Sequence, residues 1–273
     1  MNKYTINHLR EQYPTEDACL DYLFHKRFPE AQGYYRVRGR KCYSHKTTRH
    51  QIHPLAGTIF EKSTTPLTLW FHAIFLFSTS KNGVSAKELQ RQLGVTYKCA
   101  WRMAFEIRTL MKQDGHVLKG TVEIDETYYG KGGTHKTKFK NKAALLGMVE
   151  RKGEIKVQKL PNRRVEVILP VIKESVERGT HIVTDEYAGY DRLRGSAYGY
   201  RHSNVKHGKH HFSWKGQNTN TIEGFWGQFK RSVRGTYHFV SSQHLQSYVD
   251  EFAYRYNHRA SSVPLFETLM ARI

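Results

Sequence analysis

Between Thr121 and Asp185 the sequence follows one order, strand, strand, strand, helix, strand, and that order limits the fold more than any other feature of the chain. Residues 121–124, 143–149 and 154–160 read as strands, with charged and glycine-containing turns between the last two. Three successive short strands imply an antiparallel start. Val165, Ile168, Leu169, Ile172 and Val176 then recur at helical spacing, with Pro170 as an alternative first turn, and Arg178-Gly179 stops the helix. Residues 181–184 read as a fourth strand ending on Asp185, just as 122–124 end on Asp125. Each aspartate leaves an apolar run where a carboxylate has no packing reason to sit. If the two strands are neighbours, both acids emerge at one sheet edge.

This order is that of an RNase H-like core, an α/β arrangement with a mixed sheet and flanking helices. Charge indicates the partner. Lys and Arg number 44 against 24 Asp and Glu, a formal net charge of +20, which favours a polyanion over a small acidic molecule. Phosphodiester chemistry on nucleic acid needs an activated oxygen nucleophile, a stabilised leaving oxygen and neutralised charge between them. Two hard divalent ions held by carboxylates from separate elements supply all three. A third acid is therefore expected on a later helix. Glu223 precedes Phe225, Trp226 and Phe229 at helical spacing, and Lys230 lies seven residues on, two turns along the same face. One can bind metal while the other holds phosphate. Glu123, Glu126 and Glu186 read as bystanders beside the aspartates.

Upstream, Thr15 caps a short helix carrying Cys19, Leu20, Leu23 and Phe24, and residues 34–54 form a basic, aromatic, turn-rich stretch suited to a small β module. Cys42, His45, His50 and His53 are metal-ligand types. Only four residues separate the two pairs, however, so solvated or DNA-facing histidines compete with a zinc site. Pro66 opens an apolar helix over residues 67–77. Ser85 and Glu88 form a capping-box start, Gly94-Val95 makes a turn, and Thr96 caps a second helix over residues 97–111. Two helices and a glycine turn fit a helix-turn-helix that offers Tyr97, Lys98 and Arg102 to a groove, with Lys87 and Arg91 reaching phosphates. An ordinary helical hairpin fits the same pattern.

Taken together, these residues resemble bacterial insertion-sequence transposases of the DDE type, in the zinc-ribbon group related to eukaryotic Merlin elements. The motifs that carry the resemblance are residues 56–63, 66–71, 90–98 with Ala100-Trp-Arg-Met103, Val122-Glu-Ile-Asp-Glu-Thr-Tyr128, Thr184-Asp185, Asn220-Thr-Ile-Glu-Gly-Phe-Trp226 and Glu251-Phe-Ala-Tyr-Arg-Tyr-Asn257. The resemblance implies a catalytic domain that cleaves transposon ends and joins the freed 3′-OH to target DNA with Mg2+ or Mn2+. Its acidic ligands fall on Asp125, Asp185 and Glu223, with Asn220 a second candidate for the third position. Lys230, Arg231 and Arg234 would grip DNA. His202 and His207 match positions able to contact phosphate or the leaving strand, although a solvated basic loop is an equal reading.

The family's ribbon carries two Cys-x-x-Cys pairs, whereas here the second falls on His45 and Thr48 and the first is missing, so structural zinc is not expected. Asn218 also stands where many relatives carry histidine. Three regions follow: 1–62 with the degenerate zinc-ribbon-like module, 63–115 with the helix-turn-helix, and 116–273 as the RNase H-like domain. Expected partners are terminal inverted repeats, target DNA and a second copy of the chain, since two ends must be held together. No apolar run reaches membrane-spanning length and no secretory signal is evident, which suits a bacterial cytoplasm and nucleoid. A DNA-binding remnant of a decaying element and a host nuclease of similar fold are the competing readings.

Overall fold

The computed structural model describes residues 4–130, 142–194, 198–205 and 218–273. The chain divides into two units, Met1–Leu110 with Ser261–Ile273, and Met111–Ala260.

In the first unit Thr15 accepts the Ala18 amide and so caps α2 (Glu16–Arg27), which follows α1 (Ile6–Gln12). A three-stranded antiparallel sheet comes next, β1 (Tyr34–Arg36), β2 (Tyr43–His45) and β3 (Gln51–Ile52). Aromatic packing braces it. Tyr43 stacks on Phe24 at 3.8 Å, and Tyr34 sets its ring edge-on against His45 and its hydroxyl 2.8 Å from His50 Nδ1. The apolar α3 (Leu67–Thr79) buries Trp70, Phe71, Ile74 and Phe77. α4 (Ala86–Leu93) begins at Ser85, which accepts the Glu88 amide, and ends on Gly94 in the left-handed region at φ 65°. Only half of the expected capping box forms, because the Glu88 carboxylate binds Arg91 and Gln92 instead. α5 (Tyr97–Leu110) buries Ala100, Met103, Ala104 and Ile107 while Tyr97, Lys98, Trp101, Arg102 and Phe105 face outward. Leu265–Met270 forms α9, whose Phe266 packs with Tyr4 and Phe71. The last thirteen residues thus belong to the first unit, whereas the sequence reading runs the third region, 116–273, to the end. Their apolar side chains complete a helical core whose other members lie nearly 200 residues earlier.

The second unit is built on a mixed five-stranded sheet in the order β6-β5-β4-β7-β8. Its strands are β4 (Thr121–Tyr129), β5 (Ala143–Glu150), β6 (Ile155–Leu160), β7 (His181–Thr184) and β8 (Arg201–Asn204). The first three pair antiparallel, then β7 and β8 add in parallel. This topology is compatible with an RNase H-like domain. Side-chain alternation gives each sheet face a core. On one face Val122, Ile124, Leu146 and Met148 meet Ile168, Leu169 and Ile172 of α6 (Val165–Ser175). On the other, Leu145, Val149 and Val157 meet Ile222, Phe225, Trp226 and Phe229 of α7 (Asn220–Ser232), with Val249 and Phe252 of α8 (Leu245–Asn257). Pro170 lies inside α6 rather than at its first turn, since the helix already begins at Val165.

Two differences from the sequence reading matter for the site. β4 does not end at Asp125 but continues to Tyr129, paired throughout with β5. β7 pairs with β4 only at Thr121–Glu123, so it is the end of β7 that opens β4 beside Asp125. Gly147, opposite Asp125 on β5, lets α7 lie close: a Cβ there would come 2.5 Å from Trp226 Cζ2 and 2.6 Å from Ile222 Cδ1. Gly147→Ala should therefore push α7 outward and cost about 1–3 kcal/mol in urea unfolding. An unchanged unfolding midpoint would show that the helix does not depend on this contact.

Candidate active site

The site forms where a parallel strand pair runs out. Past Thr184 the β7 backbone turns away, and Asp185 Oδ1 accepts the Tyr187 amide at 3.0 Å, an Asx turn that fixes the carboxylate at the carboxyl end of the strand. One oxygen from each of Asp125, Glu126 and Asp185 lies within 4.8 Å of the others. Burial, then the neighbouring Glu126, Asp185 and Glu223 carboxylates, push the Asp125 carboxyl up to about 7, against an opposing Glu126 amide hydrogen bond. A divalent cation among these oxygens would outweigh that repulsion and favour the ionised carboxylates. The donors are hard carboxylate oxygens from two elements, a set that fits Mg2+ or Mn2+ better than a soft metal.

Glu223 stands outside this trio. It is exposed one turn into α7, where it accepts the Thr219 hydroxyl at 2.7 Å, yet it is close enough to Asp125 to raise its pKa. Asn220, the first residue of the helix, is exposed as well. Lys230 interacts with Asp125 electrostatically, and burial followed by the Arg234 and Lys142 charges holds its ammonium below the usual lysine range in spite of that pairing. Arg231 and Arg234 are exposed.

Sequence reasoning missed what positions α7. Glu123, fully buried, accepts the Thr221 amide at 2.9 Å, the Ile222 amide at 3.2 Å and the Thr221 hydroxyl at 2.9 Å, so it caps α7 from a neighbouring strand. Arg151 Nε donates to the same carboxylate at 2.9 Å and Arg151 Nη2 to the Asn218 carbonyl. An acid at a helix N-terminus is favoured by its free amides and its dipole. The one available signal was Glu123 itself, a charge in a strand flanked by buried Val122 and Ile124.

His202 is committed inside the protein. Its Nε2 lies 2.9 Å from the buried Thr184 hydroxyl, which donates to the Asp185 carbonyl, and Arg194 Nε donates to its Nδ1 at 3.3 Å. Burial and Arg194 push its pKa down to about 4, so the ring is neutral at neutral pH. His207 lies outside the described residues. In the first unit Lys87 Nζ sits 4.7 Å above the Tyr97 ring, Arg91 pairs with Glu88, Arg102 donates to the Glu61 carbonyl and Lys98 is exposed.

A family description, the ISXO2-like transposase domain, matches residues 117–257, from just before β4 to the end of α8 and more than half of the chain. The chain belongs to that transposase family. A transposase-like protein of Haemophilus influenzae, itself uncharacterized, is 29% identical over 98 residues, 36% of this chain and 76% of that protein. An uncharacterized protein in transposable element ISH50 of Halobacterium salinarum is 31% identical over 100 residues, 37% of this chain and 33% of that protein. This transposase chain therefore spans about a third of the length of the second relative. A chain in a simian T-cell lymphotropic virus intasome with PP2A regulatory subunit B56 gamma aligns over 66% of this chain and 73% of its own. At 11% identity and a TM-score of 0.32, that likeness is too slight to weigh on fold or function.

The raised Asp125 has a signed consequence for the transposase fold. Between its unfolded value of 3.8 and about 7 the folded chain holds a proton that the unfolded chain releases. The stability this contributes is complete below that window and lost as pH rises through it. Thermal melts in chelator should show Asp125→Asn gaining on the parent chain as pH rises from 4 to 7. A constant difference would contradict the assignment. Among the described residues no helix is long and apolar enough to cross a membrane.

Proposed function

We propose that this chain is a DNA transposase that cleaves transposon ends and transfers the freed 3′-OH to target DNA. The observation that carries the reading is the pairing of Asp125 with Asp185 at the open end of β7, inside a domain of a transposase family. Asp125 and Asp185 hold two Mg2+ or Mn2+ ions with Glu223 as third acid, and Asn220, one helical turn before it, is the rival for that place. When bound, such ions polarise the scissile phosphate and make water or a 3′-OH a better nucleophile. The chain's own part is to aim the carboxylates and hold the strands. Lys230, in electrostatic range of Asp125, takes a phosphate oxygen, while the exposed Arg231 and Arg234 extend the grip along the backbone. His202 fits a positioning role, keeping Thr184 and hence the Asp185 turn in place.

DNA recognition falls to α4 and α5 as a helix-turn-helix. The exposed face of α5 carries Tyr97, Lys98 and Arg102, with Lys87 and Arg91 beside it for phosphates. Arg91 and Arg102 exchange their present partners for DNA oxygens. A homodimer holds the two ends, one per copy. The β1–β3 module is braced by the Phe24, Tyr34 and Tyr43 rings, and structural zinc has no part in this reading.

Incubation of the full chain with terminal-repeat DNA, target plasmid and Mg2+ tests the proposal. Joined products that need an intact Asp125 support it. Salt-sensitive binding without cutting would instead mark a non-catalytic remnant. Cutting without joining would mark a nuclease.

A further inference from the structure

Glu126 follows Asp125 on β4 and by alternation belongs to the opposite face, opposite Leu146 and on the side of Ile124 and Tyr128. In the middle of a sheet two such carboxylates would diverge. Here β7 leaves β4 after Glu123, so side chains from both faces of β4 can close around its open edge, and Glu126 reaches the same point as Asp125 and Asp185.

The Glu126 side chain is fully buried, yet it is only half satisfied. Its Oε1 accepts one long hydrogen bond, 3.3 Å from Arg163 Nε, and its Oε2 has no hydrogen-bond partner among the described residues. The fully buried Tyr190 lies in electrostatic range of this carboxylate, and its Oη likewise has no hydrogen-bond partner among the described residues. A buried carboxylate with an empty oxygen is expensive, and a fold that retains one beside two further acids is suited to a cation. Arg163 is about a third exposed and lies over the Tyr187 ring at 5.1 Å and the Tyr128 ring at 5.7 Å, from where it can withdraw.

We infer that Glu126 is a ligand of the divalent cation, and that Arg163 neutralises its carboxylate while no ion is bound. The inference rests on the transposase reading of the site and adds to it a ligand from the far face of the strand. Glu126 then supplies an acid that is already in place, whereas Glu223 has to approach from α7. Arg163 is a competitor of the metal rather than a support for it.

Calorimetric titration of the full chain with Mn2+, backed by the electron paramagnetic resonance signal of free Mn2+, reads binding without any reaction. Glu126→Gln should weaken binding by about 10-fold or more, as loss of a ligand must if outer partners alone are worth 10- to 100-fold. Arg163→Gln should tighten it several-fold, a change of sign that a merely structural Arg163 would not give. Glu177→Gln, an exposed acid elsewhere on the domain, serves as the control. If Glu126→Gln binds Mn2+ as the parent does while Asp125→Asn fails to, the inference falls and the transposase reading stands. If Asp125→Asn also binds normally, the metal site itself is wrong. Weaker binding by Arg163→Gln overturns the competitor role even if Glu126→Gln fails to fold.

Discussion

Asp125→Asn should abolish strand joining and, in the absence of metal, make the protein more stable. The two effects have one cause. Asp125 is half-buried with Glu126 and Asp185 within ligand distance and Glu223 in electrostatic range, so its charge is opposed until a cation arrives. Removing that charge at pH 8 relieves the repulsion, and a shift from 3.8 to about 7 converts to roughly 2–4 kcal/mol once discounted for coupling among the acids. The same change removes a ligand whose charge is needed in the transition state, where losing one stabilising group typically costs about 10²–10³-fold in rate. Thermal melts with chelator and with Mn2+ separate the effects. The variant should melt above the parent in chelator and show little gain on adding Mn2+. A variant that melts below the parent in chelator would mean that Asp125 is structurally supported rather than electrostatically strained.

Glu123→Ala should destabilise the second unit by about 3–5 kcal/mol, because it strips a fully buried acceptor from a charged network and leaves Arg151 without its carboxylate. The loss includes the cap of α7. The Thr221 and Ile222 amides lose their acceptor and the helix start is freed, which carries Asn220 and Glu223 away from Asp125. Denaturant unfolding gives the stability term. Glu123→Gln, which keeps an acceptor of the same size, should lie between Ala and the parent. If Ala and Gln variants unfold at the parent's midpoint, Glu123 is not what anchors the helix.

Much of this architecture was readable in the chain because it rests on local pattern. The strand patterns at 121–124, 143–149 and 154–160 and the helical spacing from Val165 to Ile172 appear as β4, β5, β6 and α6 in the expected order. Asp125 and Asp185 stood out since acids leaving apolar runs have few other reasons to exist. What stayed hidden depends on pairing across the sequence. β8 carries Arg201, His202, Ser203 and Asn204, with no apolar residue to betray a strand. Glu126 reads as a bystander under alternation, and only the early departure of β7 from β4 brings it to the aspartates. Glu123 could not be recognised as a cap without knowing that a helix almost a hundred residues later starts on it. The C-terminal α9 reads as a tail of the RNase H-like region, 116–273, until Phe266 is seen against Tyr4 and Phe71.

The most direct test uses a DNA end already cut to expose its 3′-OH, so that cleavage cannot limit the reaction. The full chain is given this end, a target duplex and Mg2+, and joined strands are counted for the parent, Asp125→Asn and Asp185→Asn. Joined product from the parent and none from either variant is the predicted result. Joining by Asp125→Asn or Asp185→Asn at the parent's rate would contradict the claim that these two carboxylates, brought together where β7 leaves β4, carry the chemistry.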